Sequence, residues 1–414
     1  MARAKIVVGA NFGDEGKGRV VDYLAHTTSK PIVVRHNGGA QAGHTVIVDN
    51  YRHVFSHIGA GTLRGAPTFL SRFFVVNPGN FLNESNRLHA EWNPPSGLPP
   101  VFVDQRAILT TPYDVLFNQF LEQTRGNHRH GSCGIGINEA VTRSQTQFAT
   151  HVSDLNDLVA LDSKIDAIYM SYLYQRTQQL GFDFTDFSLW LAKKQISHKH
   201  LKINYLLQCH DFSRITSIQP QSIIDKYDTI IFEGAQGLLL DEDHYWFPHV
   251  TRSKTGSTNA VTILDELGIC AAEVYYVTRP YLTRHGAGPL PFECEKPFPE
   301  IVDNTNITNE YQGSLRFAPI NLDLLGETIL SDIIKNEGRG VTLTPRLFVT
   351  CADQLQTVYD EWGTADCPYV QDKQLKHCYK GDMLEIMSRV YKFDVVNVSL
   401  APCVDSLGLN VTSL

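Results

Sequence analysis

The sequence predicts an α/β fold, a single large domain over residues 1–414 built around one mostly parallel central sheet. Three observations predict it. Short apolar, β-branched runs at residues 4–8, 32–34 and 229–232 each pass directly into a glycine-rich loop, the arrangement found where the strands of doubly wound sheets end. Amphipathic helical patterns stand between such runs. No repeat, low-complexity tract or linker divides the chain, and with 43% hydrophobic residues it can bury one substantial core.

The first loop organises the rest. Residues 9–22 read GANFGDEGKGRVVD, with glycines at 9, 13, 16 and 18 after the first strand and a helical pattern, Val20, Val21 and Leu24, behind them. Backbone N–H groups at a helix N-terminus carry partial positive charge, so strand, loop and helix start form an anion cradle suited to a phosphate. Lys17 adds a full charge. Asp14 and Glu15 are carboxylates that a simple phosphate cradle would not want, so something else must neutralise or use them. The loop is P-loop-NTPase-like without being a Walker A motif: Asn11 stands where the first glycine belongs, and Gly18 follows Lys17 where Ser or Thr would hold magnesium. The metal ligand must come from elsewhere, and Asp14 is the natural candidate. Read alone, the loop is also compatible with a glycine-rich surface turn bearing solvated charges.

The strand at 32–34 ends in a second glycine loop, RHNGGAQAGHTV at 35–46, and two such loops close together point to one site. Residues 53–65 contain GxGxxxG, which lacks the GxGxxG spacing of a dinucleotide fingerprint. Residues 69–76 and 100–109 read as strands and 112–124 as an amphipathic helix, with 83–100, carrying Pro-Pro and Ser-Gly, as a surface connection. The basic, glycine-rich stretch 125–136 is either a lid or plain surface. Leu158, Leu161, Ile165, Ile168 and Tyr172 recur at helical spacing on one buried face, while 182–213 reads as surface helices with solvated histidines. Residues 229–232 enter EGAQGLLLDED, and 274–278, 346–350 and 394–400 complete the strands.

A net charge of −8 argues against a nucleic-acid-binding surface and leaves room for a local basic cleft, which Lys17, Arg19 and Arg35 could supply. Eight cysteines are scattered singly without a CxxC pair, which suggests neither a zinc site nor a disulfide framework and makes a reducing cytoplasm the expected setting. No run of about 18 apolar residues exists to cross a bilayer, and the N-terminus has no signal-peptide apolar region, so no membrane partner is expected.

GDEGKG at 13–18 together with GGAQAGHT at 38–45 resembles the two signature loops of the adenylosuccinate synthetase family, in the same order. FEGAQGLLLD at 232–241 with PHVTRS at 248–253, TRHGAGPLPFE at 283–293, GIG at 134–136 and VTCAD at 349–353 extend the resemblance over nearly the whole chain. The resemblance implies a carbon–nitrogen ligase of purine nucleotide biosynthesis, which couples L-aspartate to carbon 6 of a 6-oxopurine nucleotide with magnesium and a nucleoside triphosphate. That chemistry would explain the odd carboxylates, because a C6 oxygen leaves only after it has been phosphorylated. The resemblance places Asp14 as the base that removes the N1 proton and His44 as the acid that stabilises charge between the phosphates. It assigns magnesium to Asp14 and the carbonyl of Gly43. The triphosphate falls to Lys17 and the amides around Gly16 and Gly18, with Gly13, Glu15, Gly43, His44 and Thr45 in the same loops. Gln236, also counted as catalytic, would hold the purine and Thr251 its 5′-phosphate, with Gln41 and Ser132 in the substrate loops. Arg316 would grip a carboxylate of aspartate with its planar fork. Asp353 would read the guanine edge of GTP, and Arg143 would reach the substrate phosphate across a homodimer interface.

Three departures from the family pattern bear on substrate choice. Cys351 stands where a lysine would pack over guanine, which opens the donor to ATP or dATP as well as GTP. Gly313-Ser314-Leu315-Arg316 replaces a string of arginines, one of which contacts the ribose 2′-hydroxyl, and Gly131-Ser132-Cys133 replaces a Thr-Gly-Arg type sequence in the phosphate loop. All three resemble the phage-associated branch, 2-amino-2′-deoxyadenylosuccinate synthase, which joins aspartate to dGMP. Asp14 points the other way, since some members of that branch carry a smaller residue there. IMP and dGMP therefore both stand as acceptors. A non-catalytic nucleotide-binding switch or sensor, and a ligase or kinase acting on a related lactam, are the rival readings.

Overall fold

The computed structural model describes residues 3–92, 97–126, 132–298, 301, 313–355, 367–389 and 395–398. Nine strands form one sheet, in the spatial order Val395–Val398, Thr342–Val349, Ala271–Thr278, Ala4–Gly9, Thr229–Glu233, Pro31–Arg35, Thr68–Leu70, Val101–Val103 and Ser217–Ile218. Every neighbouring pair is parallel. Ala4–Gly9 lies in the middle, paired on one side with Thr229–Glu233 and on the other with Ala271–Thr278. The apolar residues of this strand are fully buried because the sheet is covered on both faces, and each face has its own core. Val7 and Val33 pack with Val20, Leu24, Phe81 and Phe117 on one side, while Ile6, Val8, Ile32 and Val34 pack with Ala260, Leu264 and Leu325 on the other. Alternate residues of one strand thus feed opposite layers, as the pleat requires.

The helices start where their sequences allow. Lys17–Thr27 begins after Gly16, whose φ of 85° suits only a glycine well, and buries Val20, Val21 and Leu24. Pro112–Arg125 has a full capping box, Thr111 with Asp114, and proline at its first position. The stretch 158–179 is helical throughout, Leu158–Ala167 passing through a π-helical turn, Ile168–Tyr172, into Leu173–Gln179. Phe184–Lys193 and His198–Ile215 follow.

Several expectations need correction. Residues 83–91 are not a surface connection: they belong to the helix Pro78–Glu91, which Asn77 caps by accepting from the Asn80 N–H at 3.1 Å. Residues 69–76 and 100–109 are each two short strands rather than one, with Val75–Val76 and Ile108–Leu109 pairing in a separate small sheet. His198 is not merely solvated; its Nε2 lies 2.9 Å from Asp166 and its ring stacks on Tyr169. Two features went unforeseen, the hairpin His44–Val48/Tyr51–Phe55 and a four-stranded sheet of Tyr281–Arg284, Arg316–Asn321, Cys367–Gln371 and Gln374–Cys378. The glycines of the rejected GxGxxxG stretch serve packing, since a Cβ on Gly59 or Gly61 would stand 2.7 or 2.9 Å from Val33. Of the loop at 125–136, residues 127–131 lie outside the described residues, as do 394 and 399–400 of the last expected strand.

Candidate active site

The loops that follow the carboxyl ends of four central strands surround one cleft of about 1070 Å³, lined by Asp14, Lys17, Gln41, Gly43, His44, Thr45, Ser132, Gln236, Thr251, Arg279 and His285 among others. The crevice outside the carboxyl ends of parallel strands is where open α/β sheets collect ligands. Close glycine contacts draw the loops together. A Cβ on Gly18, in the first helical turn, would stand 2.7 Å from the Cβ of His44, and one on Gly237 would stand 2.3 Å from the carbonyl oxygen of Asn11. Only bare backbone allows the first loop to lie against both the hairpin and the 233–237 turn.

Within the first loop, Glu15 turns inward. Its Oε1 accepts from the N–H groups of Asn11 at 3.1 Å and Gly13 at 2.8 Å, and its Oε2 pairs with Lys17 Nζ at 3.2 Å. Glu15 therefore shapes the cradle and holds the lysine, while its own carbonyl accepts from Thr350 Oγ1 at 2.6 Å. Asp14, with φ of 60°, faces the cleft instead, and its Oδ2 meets Nε2 of His285 at 3.2 Å. Burial pulls the Asp14 carboxyl upward, but His285, Arg279 and Lys17 hold it below the ordinary carboxylate range, so it is ionised at neutral pH.

His44 is almost wholly buried, and its Nδ1 lies 2.5 Å from Oε1 of Glu233, the last residue of its strand. Glu233 has no exposure at all; its Oε2 accepts from the Ala60 N–H at 3.0 Å and stands 4.0 Å from Arg35 Nε. Burial pushes the Glu233 carboxyl up, and His44, Arg35 and the Ala60 N–H more than offset it. Burial likewise drives the His44 imidazole below its ordinary value, against the pull of Glu233. At rest the ring is then neutral, with Nδ1–H donated to Glu233 and Nε2 left for the cleft.

Gln236 Oε1, both amide atoms of Gln41 and Thr45 Oγ1 are buried without a hydrogen-bond partner among the described residues. Gln236 and Gln41 converge near Gly38, whose Cβ would stand 3.3 Å from Gln236 Oε1 and 3.5 Å from Gln41 Nε2. Unmade hydrogen bonds at a cleft wall suit a polar ligand edge, since buried polar atoms otherwise find partners. Ser132 also lines the cleft and exchanges hydrogen bonds with Asn118 at 3.0 and 3.2 Å. Thr251 is fixed there by its N–H bond to the Leu240 carbonyl at 2.8 Å.

Four predicted residues do not join this lining: Glu15, turned inward as described, and Arg143, Arg316 and Asp353. Arg143 is a correction: it is fully buried, and its five N–H donors go to Asp114, Phe148, Thr150 and Leu109 at 2.8–3.0 Å, which leaves none for a nucleotide or a second subunit. Arg316 is bound bidentately to Glu293 and to the carbonyls of Gly286 and Gly288, behind the loop that carries His285. Asp353 sits on the short turn Ala352–Gln354 beyond Thr350, exposed and next to the first loop rather than in the main cleft. Glu233, His285 and Arg279 are the residues that sequence reasoning missed. A glutamate closing an otherwise apolar strand was the available signal for the first. The other two lay in or beside the TRHGAGP stretch with nothing local to tie them to Asp14.

The donor set also suits a hard cation. The Asp14 carboxylate and the backbone of Gly43 face the same space, and no group of three or more His, Cys, Asp or Glu residues that could hold a metal occurs among the described residues. Magnesium characteristically takes one or two protein oxygens and completes its shell from phosphate and water.

Fold and cleft define the class: a parallel α/β protein whose glycine loops bring a carboxylate and an imidazole to one cleft at the strand ends. The family model for adenylosuccinate synthetase matches residues 6–314, well over half of the sequence, and the chain belongs to the adenylosuccinate synthetase family. It is 31% identical to the adenylosuccinate synthetase of Tolumonas auensis over 73% of this chain and 67% of that one. It is 33% identical to that of Buchnera aphidicola over 70% and 65%. The alignments thus span only about two thirds of these relatives' length. In structure it resembles the fully ligated adenylosuccinate synthetase of Plasmodium falciparum, with a TM-score of 0.66 at 16% identity over 97% of this chain and 98% of that one. The cyanophage S-2L succinoaminodeoxyadenylate synthetase bound to dGMP and dATP gives a TM-score of 0.60 at 16% identity over 98% and 94%. At such identities the likeness is one of fold.

Proposed function

We propose that this chain is a carbon–nitrogen ligase that condenses L-aspartate with C6 of a 6-oxopurine nucleotide through a 6-phosphoryl intermediate, at the expense of GTP or ATP. The observation that carries the reading is the convergence of Asp14 and His44 on one cleft, each held from behind by its own buried or half-buried partner.

The chemistry follows from that arrangement. Ionised Asp14 accepts the N1 proton as O6 attacks the γ-phosphorus, and the nucleoside diphosphate leaves. His44 takes up a proton as the phosphates' negative charge arrives beside it, then donates from Nε2 to the oxygens between which charge passes, with Glu233 holding Nδ1. Lys17 and the amides of the first loop bind the triphosphate, and Gln236 and Gln41 offer their free amides to the purine nucleotide. The amine of aspartate then attacks C6, the C6–O bond breaks and inorganic phosphate departs. Bound magnesium, held by Asp14 and the Gly43 carbonyl, would supply charge neutralisation among the phosphates. We assign a homodimer and a cytoplasmic setting to the same reading; among the described residues no helix is long and apolar enough to cross a membrane.

The acceptor is IMP or its deoxy, 2-amino counterpart dGMP, and Cys351 in place of a stacking cation leaves the donor open to ATP or dATP as well as GTP. The test is a panel of IMP, dIMP, GMP and dGMP, each with aspartate and with GTP or ATP, read by phosphate release and product mass. Aspartate-dependent release with one acceptor is expected, and its absence with all four defeats the proposal. His44→Ala should keep triphosphate binding and abolish release, and Asp14→Ala should abolish release while also loosening magnesium-dependent triphosphate binding; a switch or sensor would show no aspartate-dependent release to lose.

A further inference from the structure

Arg316 already holds a carboxylate. Its Nε and Nη2 meet the two oxygens of Glu293, Nε at 2.8 Å and Nη2 at 2.5 Å, in the parallel two-pronged geometry by which arginine recognises free carboxylates. Resting on the function proposed above, we infer that Glu293 is an internal stand-in for a carboxylate of the amino-acid substrate, seated on Arg316 in the unliganded chain and displaced when that substrate binds.

Four observations support exchange rather than a fixed structural pair. The side chains are 25% and 43% exposed, so solvent reaches both partners, whereas the Arg143–Asp114 pair at 0% and 1% is sealed. Glu293 is brought near by backbone: Cys294 bridges Phe317 in antiparallel fashion, its N–H donating to the Phe317 carbonyl at 2.9 Å, which sets Glu293 opposite Ala318 and leaves its side chain to reach Arg316 diagonally, without a direct cross-strand pairing to fix it. Arg316 holds the Glu293 carboxyl below the usual range, which keeps it a charged competitor at any working pH. Arg316 Nη1 also grips the carbonyls of Gly286 at 3.0 Å and Gly288 at 2.9 Å, on either side of Ala287, which lines the cleft. The preceding residue, His285, touches Asp14. A change of carboxylate on Arg316 is therefore communicated through a single short loop to the proposed base, and occupancy by aspartate becomes a condition for the arrangement around Asp14.

An intramolecular competitor raises the apparent dissociation constant by the reciprocal of the fraction of time it leaves the site free. Glu293→Gln and Glu293→Ala should each lower the KM for aspartate by roughly three- to tenfold, leave the KM for the purine nucleotide unchanged and keep turnover at saturating aspartate within about twofold. Glu293→Asp should stay closer to the parent. Arg316→Ala should raise the aspartate KM by roughly 10- to 100-fold, and removing Glu293 in that background should then change nothing further. The same variants are titrated with succinate by calorimetry, in the presence of the purine nucleotide and a non-hydrolysable triphosphate analogue, so that binding is read without turnover. Succinate affinity and aspartate KM unchanged in both Glu293 variants, or a Glu293 effect that persists without Arg316, overturns the inference. Tighter succinate binding in a chain that releases no phosphate with any acceptor would instead defeat the function reading alone. A parent chain that binds no dicarboxylate defeats both.

Discussion

Glu233 and Arg143 are both buried and both charged, yet they stand in opposite relation to the cleft. Glu233 faces a ring that reaches the cleft, so its loss is a loss of aim. Glu233→Gln keeps the volume but offers an amide whose orientation is no longer dictated by charge. One charge-assisted hydrogen bond is worth about 1.5–3 kcal/mol, so phosphate release should fall by roughly 10- to 100-fold at an unchanged KM for triphosphate. Steady-state kinetics check this, and an unchanged kcat would show that His44 needs no orienting partner. Arg143 instead joins the helix Ile137–Ser144 to Asp114 and to the carbonyls of Leu109 and Phe148. Arg143→Ala strands the buried Asp114 carboxylate, and breaking such a pair costs about 3–5 kcal/mol. The expected result is a large drop in melting temperature, with nucleotide KM unaltered in whatever folded fraction remains.

The contact between the first helical turn and the hairpin is where two elements make one site. A Cβ at position 18 would meet His44 at 2.7 Å from its Cβ and 3.2 Å from its Cα and carbonyl carbon, which are backbone atoms that cannot rotate away. Gly18→Ala should therefore push the hairpin off the helix while leaving the sheet intact. Because a misplacement of about 1 Å can cost 100-fold, phosphate release should drop by one to two orders of magnitude with little change in thermal stability. Equal losses of both would mean that the hairpin is not a separable unit. Elements of this kind were only partly legible. The central strands announced themselves because strands buried on both faces must be nearly all apolar, and Ile6 to Val8 and Ile230 to Phe232 are. The hairpin was hidden by its half-exposed alternation and by the glycines before it. Its signal was the Asp49-Asn50 pair, two residues with φ of 47° and 65° that tolerate a left-handed turn between two β-branched or aromatic runs. Pro78–Glu91 went unread because Phe81 and Leu88 are almost its only buried apolar anchors. The loop residues of the site were legible from glycine and charge, but Glu233 and His285 take their meaning from partners far away in sequence, which no local pattern encodes.

The chain as a whole should be acid-labile for reasons separate from its chemistry. Burial, with Arg35 nearby, pushes His36 down to about 3, and the ring finds no hydrogen-bond partner among the described residues. Burial and Arg35 likewise push His57 to about 3, where its Nε2 accepts the Asn77 N–H at 3.0 Å and so serves the fold only when neutral. His53 is lowered to about 4 by burial and Arg87. In the unfolded chain these rings titrate near 6.5, so between that pH and about 3 the unfolded state binds protons that the folded state refuses, and stability falls as pH falls. Above about pH 7 both states are deprotonated and the contribution is flat. From pH 7 to 5 each fully buried ring is expected to cost about 2 kcal/mol. The melting temperature should accordingly hold from pH 8 to 7 and drop by several degrees at pH 5. His36→Phe, whose ring can pack against Phe232 as the imidazole does at 5.9 Å, should flatten that slope. A melting temperature unchanged between pH 7 and 5, or a slope identical in His36→Phe, would mean that acid reaches these rings without unfolding the core around them. Because His36 adjoins Gly234 in the turn that leads to Gln236, the same variant separates two effects. Acid loss of activity that survives when the stability slope is flattened must come from the cleft itself, where the proposed reaction asks Asp14 and His44 to take up protons.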